Sequence, residues 1–217
     1  MLEAERERVA AAGRRLAAHG LVLGTAGNVS QRAGDLLVIT PTGAVLERLE
    51  AAEVAVVDLE GKLVDGPSPP TSEMALHLGA YRRYDAGAVV HAHPPVSTAL
   101  ACVLDEVPAI HYQMVALGGT VRVARYATFG TTELAEVTLD ALRDRFAVLM
   151  ANHGALTYGQ TLESAVERAR LLEWVCMVYW RAAAIGTPGA LDEGDLEAVR
   201  EQLDRRNYGS LLGVQRA

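Results

Sequence analysis

The chain has 217 residues, half of them hydrophobic, with a formal net charge of -7 and a pI near 5.4. That length suits one large domain or two small ones, and the apolar content provides a sizeable core and excludes extensive disorder. An acidic chain offers no basic face to a phosphate backbone, so nucleic acid is excluded as a partner.

The first predicted element is an amphipathic helix over about residues 2–19, with Leu2, Val9 and Leu16 apolar and Gly20 as its stop. Charges run through its first two turns, so it reads as neither a signal peptide nor a membrane span. No partner membrane is expected, and the cytoplasm is the default location. After GTAGNVS comes a hairpin around RAGD with LLVIT as its second strand, and then PTG. VAVVDLEGKLVDG reads as another hairpin. PSPPTS breaks the chain and leads into a helix, SEMALHLGAYRRY. AGAVVHAH is a strand ended by Pro94 and Pro95, VSTALACVL a helix and VRVARY a strand. FGTTELAEVTLDALRDR is a helix opened by threonines, and AVLMANHGALTYG is strand, turn, strand. A long helix follows with Thr161 as its cap, then a short helix and the tail EQLDRRNYGSLLGVQRA. Neither a repeat nor a linker divides the chain. The irregular alternation of helices and hairpins predicts one α/β domain over 1–217 with a mixed, mostly antiparallel sheet, rather than a doubly wound parallel one. GxGxxG is absent, which removes support for a dinucleotide site.

Cys102 and Cys176 both lie in apolar runs and outside any CxxC pair, so both are expected to be inert buried thiols. Lys62 is the only lysine, and it sits in a predicted exposed hairpin turn. A Schiff-base enzyme needs a desolvated lysine, so carbonyl chemistry here requires another electron sink; a metal ion is the obvious one.

His91 and His93 are two residues apart at the end of a predicted strand, where side chains at i and i+2 share a face. Two imidazoles so placed can converge on one ion, although a single histidine there is usually structural. His153 follows another apolar strand and precedes Gly154, which permits a sharp turn and close backbone approach. Three imidazoles with an open coordination position make a catalytic layout rather than a structural one. Glu73 opens the helix after PPTS, either as a first-turn acid stabilising the helix dipole or as a functional carboxylate. His77 lies one turn later and reads as structural, with a Glu73–His77 metal pair as the alternative. His19 reads as a helix C-terminal dipole partner, and His111 is open. GTAGNVS, TPTG and PTS combine hydroxyls, glycines and a turn-forming asparagine at the mouths of regular elements. They read either as ordinary caps or as an anion cradle built from neutral donors, with Thr71 and Ser72 at a helix N-terminus.

Taken together, GTAGNVS, LLVITPTG, the hydroxyl pair before Glu73, AVVHAH, VPAIHY, YATFGT, NHG and NYG resemble the class II aldolase/adducin-head family, nearest its fuculose-phosphate branch. The resemblance runs nearly end to end. It implies an α/β/α arrangement around a central mixed sheet and a homotetramer with active sites between subunits. It implies His91, His93, His153 and Glu73 as ligands of one Zn2+ per subunit, other divalent ions being alternatives, with Glu73 then serving as acid/base. Thr25, Gly27, Asn28, Thr42, Gly43, Thr71 and Ser72 fall in the phosphate-binding loops. Tyr112 matches a tyrosine lent by a neighbouring subunit, Tyr208 one in a flexible C-terminal tail at about 207–217, and Phe129 a wall residue. The implied reaction is aldol cleavage of a ketose 1-phosphate, foremost L-fuculose 1-phosphate, with the ion stabilising the enediolate left when the carbon–carbon bond breaks. Alternatives on the same scaffold are a 4-epimerase of ribulose 5-phosphate and a dehydratase of methylthioribulose 1-phosphate. A non-catalytic interaction module of the adducin-head kind is the alternative from another class. Two positions depart from the family pattern: Thr71 stands for the usual serine, and Ala155 follows the HG pair where leucine is common.

Overall fold

The computed structural model describes residues 1–206 and 208, so most of the tail expected to be flexible lies outside the described residues. Six helices, α1 (Glu3–Ala18), α2 (Met74–Tyr84), α3 (Pro95–Ala101), α4 (Thr132–Leu142), α5 (Leu162–Ile185) and α6 (Glu193–Arg205), surround a nine-stranded sheet. The strands are β1 (Asn28–Ala33), β2 (Leu36–Ile39), β3 (Ala55–Asp58), β4 (Leu63–Asp65), β5 (Ala88–Ala92), β6 (Glu106–Val107), β7 (Val121–Ala124), β8 (Ala147–Met150) and β9 (Gly154–Gly159). Their order is β4-β3-β2-β1-β5-β9-β8-β7-β6, and only β7 and β8 pair in parallel. The expected mixed, mostly antiparallel α/β architecture is thus the one observed.

The two predicted hairpins are β1–β2 and β3–β4, and Lys62 is exposed beside the second turn. Alternation along the strands sorts the core onto two faces. Leu37, Ile39, Val57, Val89, Val148 and Leu156 pack under α2 and α4. Val38, Val56, Ala88 and Val90 pack under α1 and the start of α5, and Ala147, Leu149 and Ala155 under α3 and the rest of α5. By that alternation His91 faces the α2 side with Val89. The Thr161 hydroxyl accepts from the Ser164 N–H and the Ser164 hydroxyl from the Thr161 N–H, a capping box that starts α5 as expected.

Three expectations need correction. The strand holding the HxH pair stops at Ala92, so His93 lies just beyond it. Pro95 does not end a strand; it is the first residue of α3, where its missing N–H leaves nothing unsatisfied. Cys102 is exposed, because it caps α3 with its side chain turned to solvent, whereas Cys176 is buried and its thiol pushed up by that burial. Among the described residues no helix is long and apolar enough to cross a membrane.

Candidate active site

The site forms where β5, the β8–β9 turn and the entry to α2 meet. β5 lies between β1 and β9, so His91 sits opposite Asn28 on one side and Leu156 on the other, fully buried. Its Nδ1 donates to the Ala155 carbonyl at 2.9 Å, which leaves Nε2 as the bare nitrogen. That Nε2 lies 2.9 Å from His93 Nε2 and 3.0 Å from Glu73 Oε2. His93 is held by its backbone N–H, which donates to the Leu21 carbonyl. His153 arrives from the β8–β9 turn, where Asn152 adopts a left-handed conformation with φ 56°. One nitrogen from each of the three imidazoles falls within 4.8 Å of the others, and their rings meet edge-on with centroids 4.7–5.1 Å apart.

Glu73 occupies the N-cap of α2 yet makes no side-chain capping bond. Its backbone N–H donates to Thr71 Oγ1, and its carboxylate turns inward instead. Oε2 accepts from Asn28 Nδ2 at 3.0 Å; Oε1 lies 3.3 Å from His153 Nε2, buried and without a hydrogen bond. The carboxylate is therefore turned toward the histidines and makes no capping bond to the helix. Burial alone raises the Glu73 carboxyl, but the facing His153 and His91 imidazoles and the Asn28 amide outweigh it and hold the group well below the usual carboxylate range. Burial, with the charges of His91 and His153, lowers His93 to about 4, so it is neutral at pH 7 with a lone pair to offer.

These residues fit a cation. A bare Nε2 of His91 faces a carboxylate oxygen and a second imidazole at about 3 Å, and such facing acceptors need a positive charge between them. Bonds of 2.0–2.1 Å at a tetrahedral angle place ligand atoms roughly 3.3 Å apart, against 2.9 Å for His91–His93, 3.0 and 3.3 Å from Glu73 to His91 and His153, and at most 4.8 Å within the three imidazoles. A donor set of imidazoles and one carboxylate suits zinc and its neighbours.

Gly154 makes the convergence possible. A Cβ there falls 2.5 Å from the Ala92 carbonyl oxygen and 3.3–3.4 Å from the His93 and His91 rings. Gly154→Ala should therefore destabilise the protein by about 1–3 kcal/mol and lower its metal content, read by thermal melting and elemental analysis. An unchanged melt with full metal loading contradicts that role.

A cavity of about 500 Å³ opens over the cluster, with Glu73, His93 and His153 on its floor. Thr25, Gly27 and Asn28 line one side, Thr42 and Gly43 the next, and Thr71 and Ser72 the mouth of α2. The loops are tied together: the Thr42 N–H donates to the Pro69 carbonyl and the Thr71 N–H to the Thr40 carbonyl. Gly27 has φ 96°, and a Cβ there meets Val22 at 2.6 Å. No lysine or arginine is among the lining residues, as expected of a cradle of neutral donors. Tyr126, Ala127 and Phe129 also line it.

The structure does not bring every predicted residue here. Tyr112 and Tyr208 are about half exposed, and neither lines the cavity of its own chain. His77 is no ligand; its Nε2 bonds Asn28 and its Nδ1 bonds Ser30. Sequence reasoning missed Asn152 and Tyr126. The signal for Asn152 was its place before His153, since asparagine tolerates left-handed backbone in a tight turn.

The family model described as Class II Aldolase and Adducin N-terminal domain matches residues 7–180. A 5-methylthioribulose-1-phosphate/5-deoxyribulose-1-phosphate aldolase of Rhodospirillum rubrum is 42% identical over 200 residues, covering 91% of this chain and 89% of that one. An L-fuculose phosphate aldolase of Escherichia coli is 40% identical over 193 residues, 88% of each chain. A solved structure of an L-fuculose 1-phosphate aldolase superposes with a TM-score of 0.89 at 35% identity, covering 93% of this chain and 96% of that one. With a three-histidine site beside a buried carboxylate, the chain belongs to the class II aldolase and adducin family and is a metal-dependent aldolase, a carbon–carbon lyase.

Proposed function

We propose that this chain cleaves a ketose 1-phosphate whose distal end lacks a terminal hydroxyl, releasing dihydroxyacetone phosphate and a short aldehyde. The observation that carries this reading is the cavity itself: it is lined by the neutral donors Thr25, Asn28, Thr42, Thr71 and Ser72, by Glu73, His93 and His153 with His91 buried against them, and by Tyr126, Ala127 and Phe129. L-fuculose 1-phosphate, which yields L-lactaldehyde, is the first candidate. The R. rubrum relative favours 5-deoxyribulose or 5-methylthioribulose 1-phosphate as the second. All three end in an apolar group that suits Tyr126, Ala127 and Phe129.

His91, His93 and His153, joined in the resting site by Glu73, are the proposed holders of one Zn2+. When bound, that ion supplies Lewis acidity at the ketose carbonyl. Thr25, Gly27, Asn28, Thr42, Gly43, Thr71 and Ser72 fix the phosphate, helped by the positive end of α2. As the bond between C3 and C4 breaks, the C4 hydroxyl loses its proton and becomes the aldehyde; the electron pair moves to C3. Glu73 returns a proton to C3. Tyr112 accepts the hydroxyl proton, and Tyr208 flanks the aldehyde end. The exposure of both tyrosines away from their own cavity fits service to a neighbouring subunit in the homotetramer that the family resemblance implies.

The test is a panel of L-fuculose 1-phosphate, the two 5-substituted pentulose 1-phosphates and L-ribulose 5-phosphate, with and without chelator. Cleavage of a member of the first group, lost with chelator and restored by Zn2+, is expected. Exclusive epimerisation of L-ribulose 5-phosphate, or cleavage indifferent to chelator, rejects the reading.

A further inference from the structure

The proposed reaction leaves one buried polar chain unused. His77 is fully buried on α2, one turn after Glu73. Its Nε2 lies 2.5 Å from Asn28 Oδ1 and its Nδ1 2.6 Å from Ser30 Oγ, which in turn lies 2.7 Å from the Tyr81 hydroxyl. Asn28 closes the chain by donating from Nδ2 to Glu73 Oε2 at 3.0 Å. Asn28 and Ser30 stand on β1, while His77 and Tyr81 stand one helical turn apart on α2, so the chain stitches the helix to the sheet directly behind Glu73.

One end fixes every donor direction. An ionised carboxylate only accepts, so Asn28 presents its amide NH2 to Glu73 and its carbonyl oxygen to His77. His77 must then donate from Nε2, which leaves Nδ1 as a lone pair. Ser30 donates to that lone pair, and Tyr81 donates to Ser30. This assignment follows from the network, as tautomers and amide orientations must. Each group has a partner, and the chain ends on Oε2, leaving Oε1 free to face the imidazoles.

We propose that His77 is a positioning residue for Glu73: through Asn28 it holds the carboxylate so that Oε1 faces the reacting centre, and Ser30 with Tyr81 sets the His77 tautomer that does so. The inference rests on the reading of Glu73 as the proton carrier. Without the Nε2 donor, the Asn28 amide is free to turn over and set its oxygen against the carboxylate. Glu73 then loses its aim, while the three histidines and the phosphate-loop residues Thr25, Thr42, Gly43, Thr71 and Ser72 keep theirs. The signature is a fall in kcat with KM and metal content held.

The test uses the full-length, metal-loaded protein and its variants His77→Leu, His77→Gln and Ser30→Ala. His77→Leu should lower kcat roughly 10–100-fold, with KM within about twofold and metal stoichiometry unchanged. His77→Gln should recover most of the loss, because its amide can donate to Asn28 Oδ1. Imidazole 15N NMR should find His77 protonated on Nε2 in the parent and shifted toward the Nδ1–H form in Ser30→Ala. Wild-type kcat in His77→Leu overturns the proposal, as does an Nδ1–H tautomer in the parent. Parallel loss of kcat, metal and phosphate affinity without rescue by glutamine assigns His77 a merely structural role and overturns it too. If His77→Leu does not fold, Ser30→Ala and the tautomer decide. If the parent cleaves no ketose phosphate, the proposed reaction falls separately, and the tautomer measurement still judges the chain.

Discussion

His91→Ala should yield a folded chain that retains no stoichiometric divalent ion and turns over roughly 10³-fold or more slowly, the rate equivalent of the several kcal/mol a Lewis-acid ion contributes. His91 is the strongest choice among the three histidines because it is the buried centre of the cluster. Its Nε2 faces both His93 and Glu73, and its ring is locked by the Ala155 carbonyl. The truncation also leaves that carbonyl without its side-chain donor in the interior, which costs about 1–3 kcal/mol of stability. Circular dichroism should still report a cooperative fold, since the β1–β5 and β5–β9 ladders do not depend on this side chain. Metal analysis and turnover should fall together. Full metal loading in His91→Ala would sink the ligand set.

Glu73→Gln should slow turnover about 10²–10⁴-fold, the usual contribution of a positioned general acid/base. The substitution keeps size and shape. A glutamine carbonyl oxygen in place of Oε2 still accepts from Asn28, so the link to the buried chain survives. What changes is the other atom: an amide NH2 replaces Oε1 and has no proton to exchange with substrate. The three imidazoles remain, so metal content should drop little and the melting temperature should stay close to the parent's. The two variants therefore separate metal loss from proton-transfer loss. Near-parent turnover in Glu73→Gln would remove the carboxylate from the chemistry.

Much of this fold was legible because its signals are local. The turns at RAGD and LEGK sit between apolar runs and produced the two hairpins. Thr161 announced α5 as its cap, and Ser164 completes the capping box in the structure. The strand order was not legible, since β5 finds β1 and β9 through contacts far apart in the sequence. β6 has only two residues, too few to display alternation. Cys102 was misread because an apolar run predicts burial of a helix's inner face, and its last residue need not lie on that face. At the site, His91, His93 and His153 could be named from residue type and spacing, Glu73 was singled out through the family resemblance, and the structure brings all four together. The bonds of His77 were hidden for a physical reason: they run from a helix to a strand, and no periodicity within either element reports them.

The cavity's two kinds of wall differ in how they are anchored. His91 sits on β5 deep in the sheet, with His93 just past its end and His153 in the β8–β9 turn, whereas Tyr126, Ala127 and Phe129 ride on the stretch joining β7 to α4. That stretch is anchored at its far end by Thr131, which caps α4. Ala127 is buried in the core under α2 and α4, while Tyr126 and Phe129 on either side of it are exposed, so replacements at those two positions reshape the cavity lining without disturbing the packing that holds the histidines.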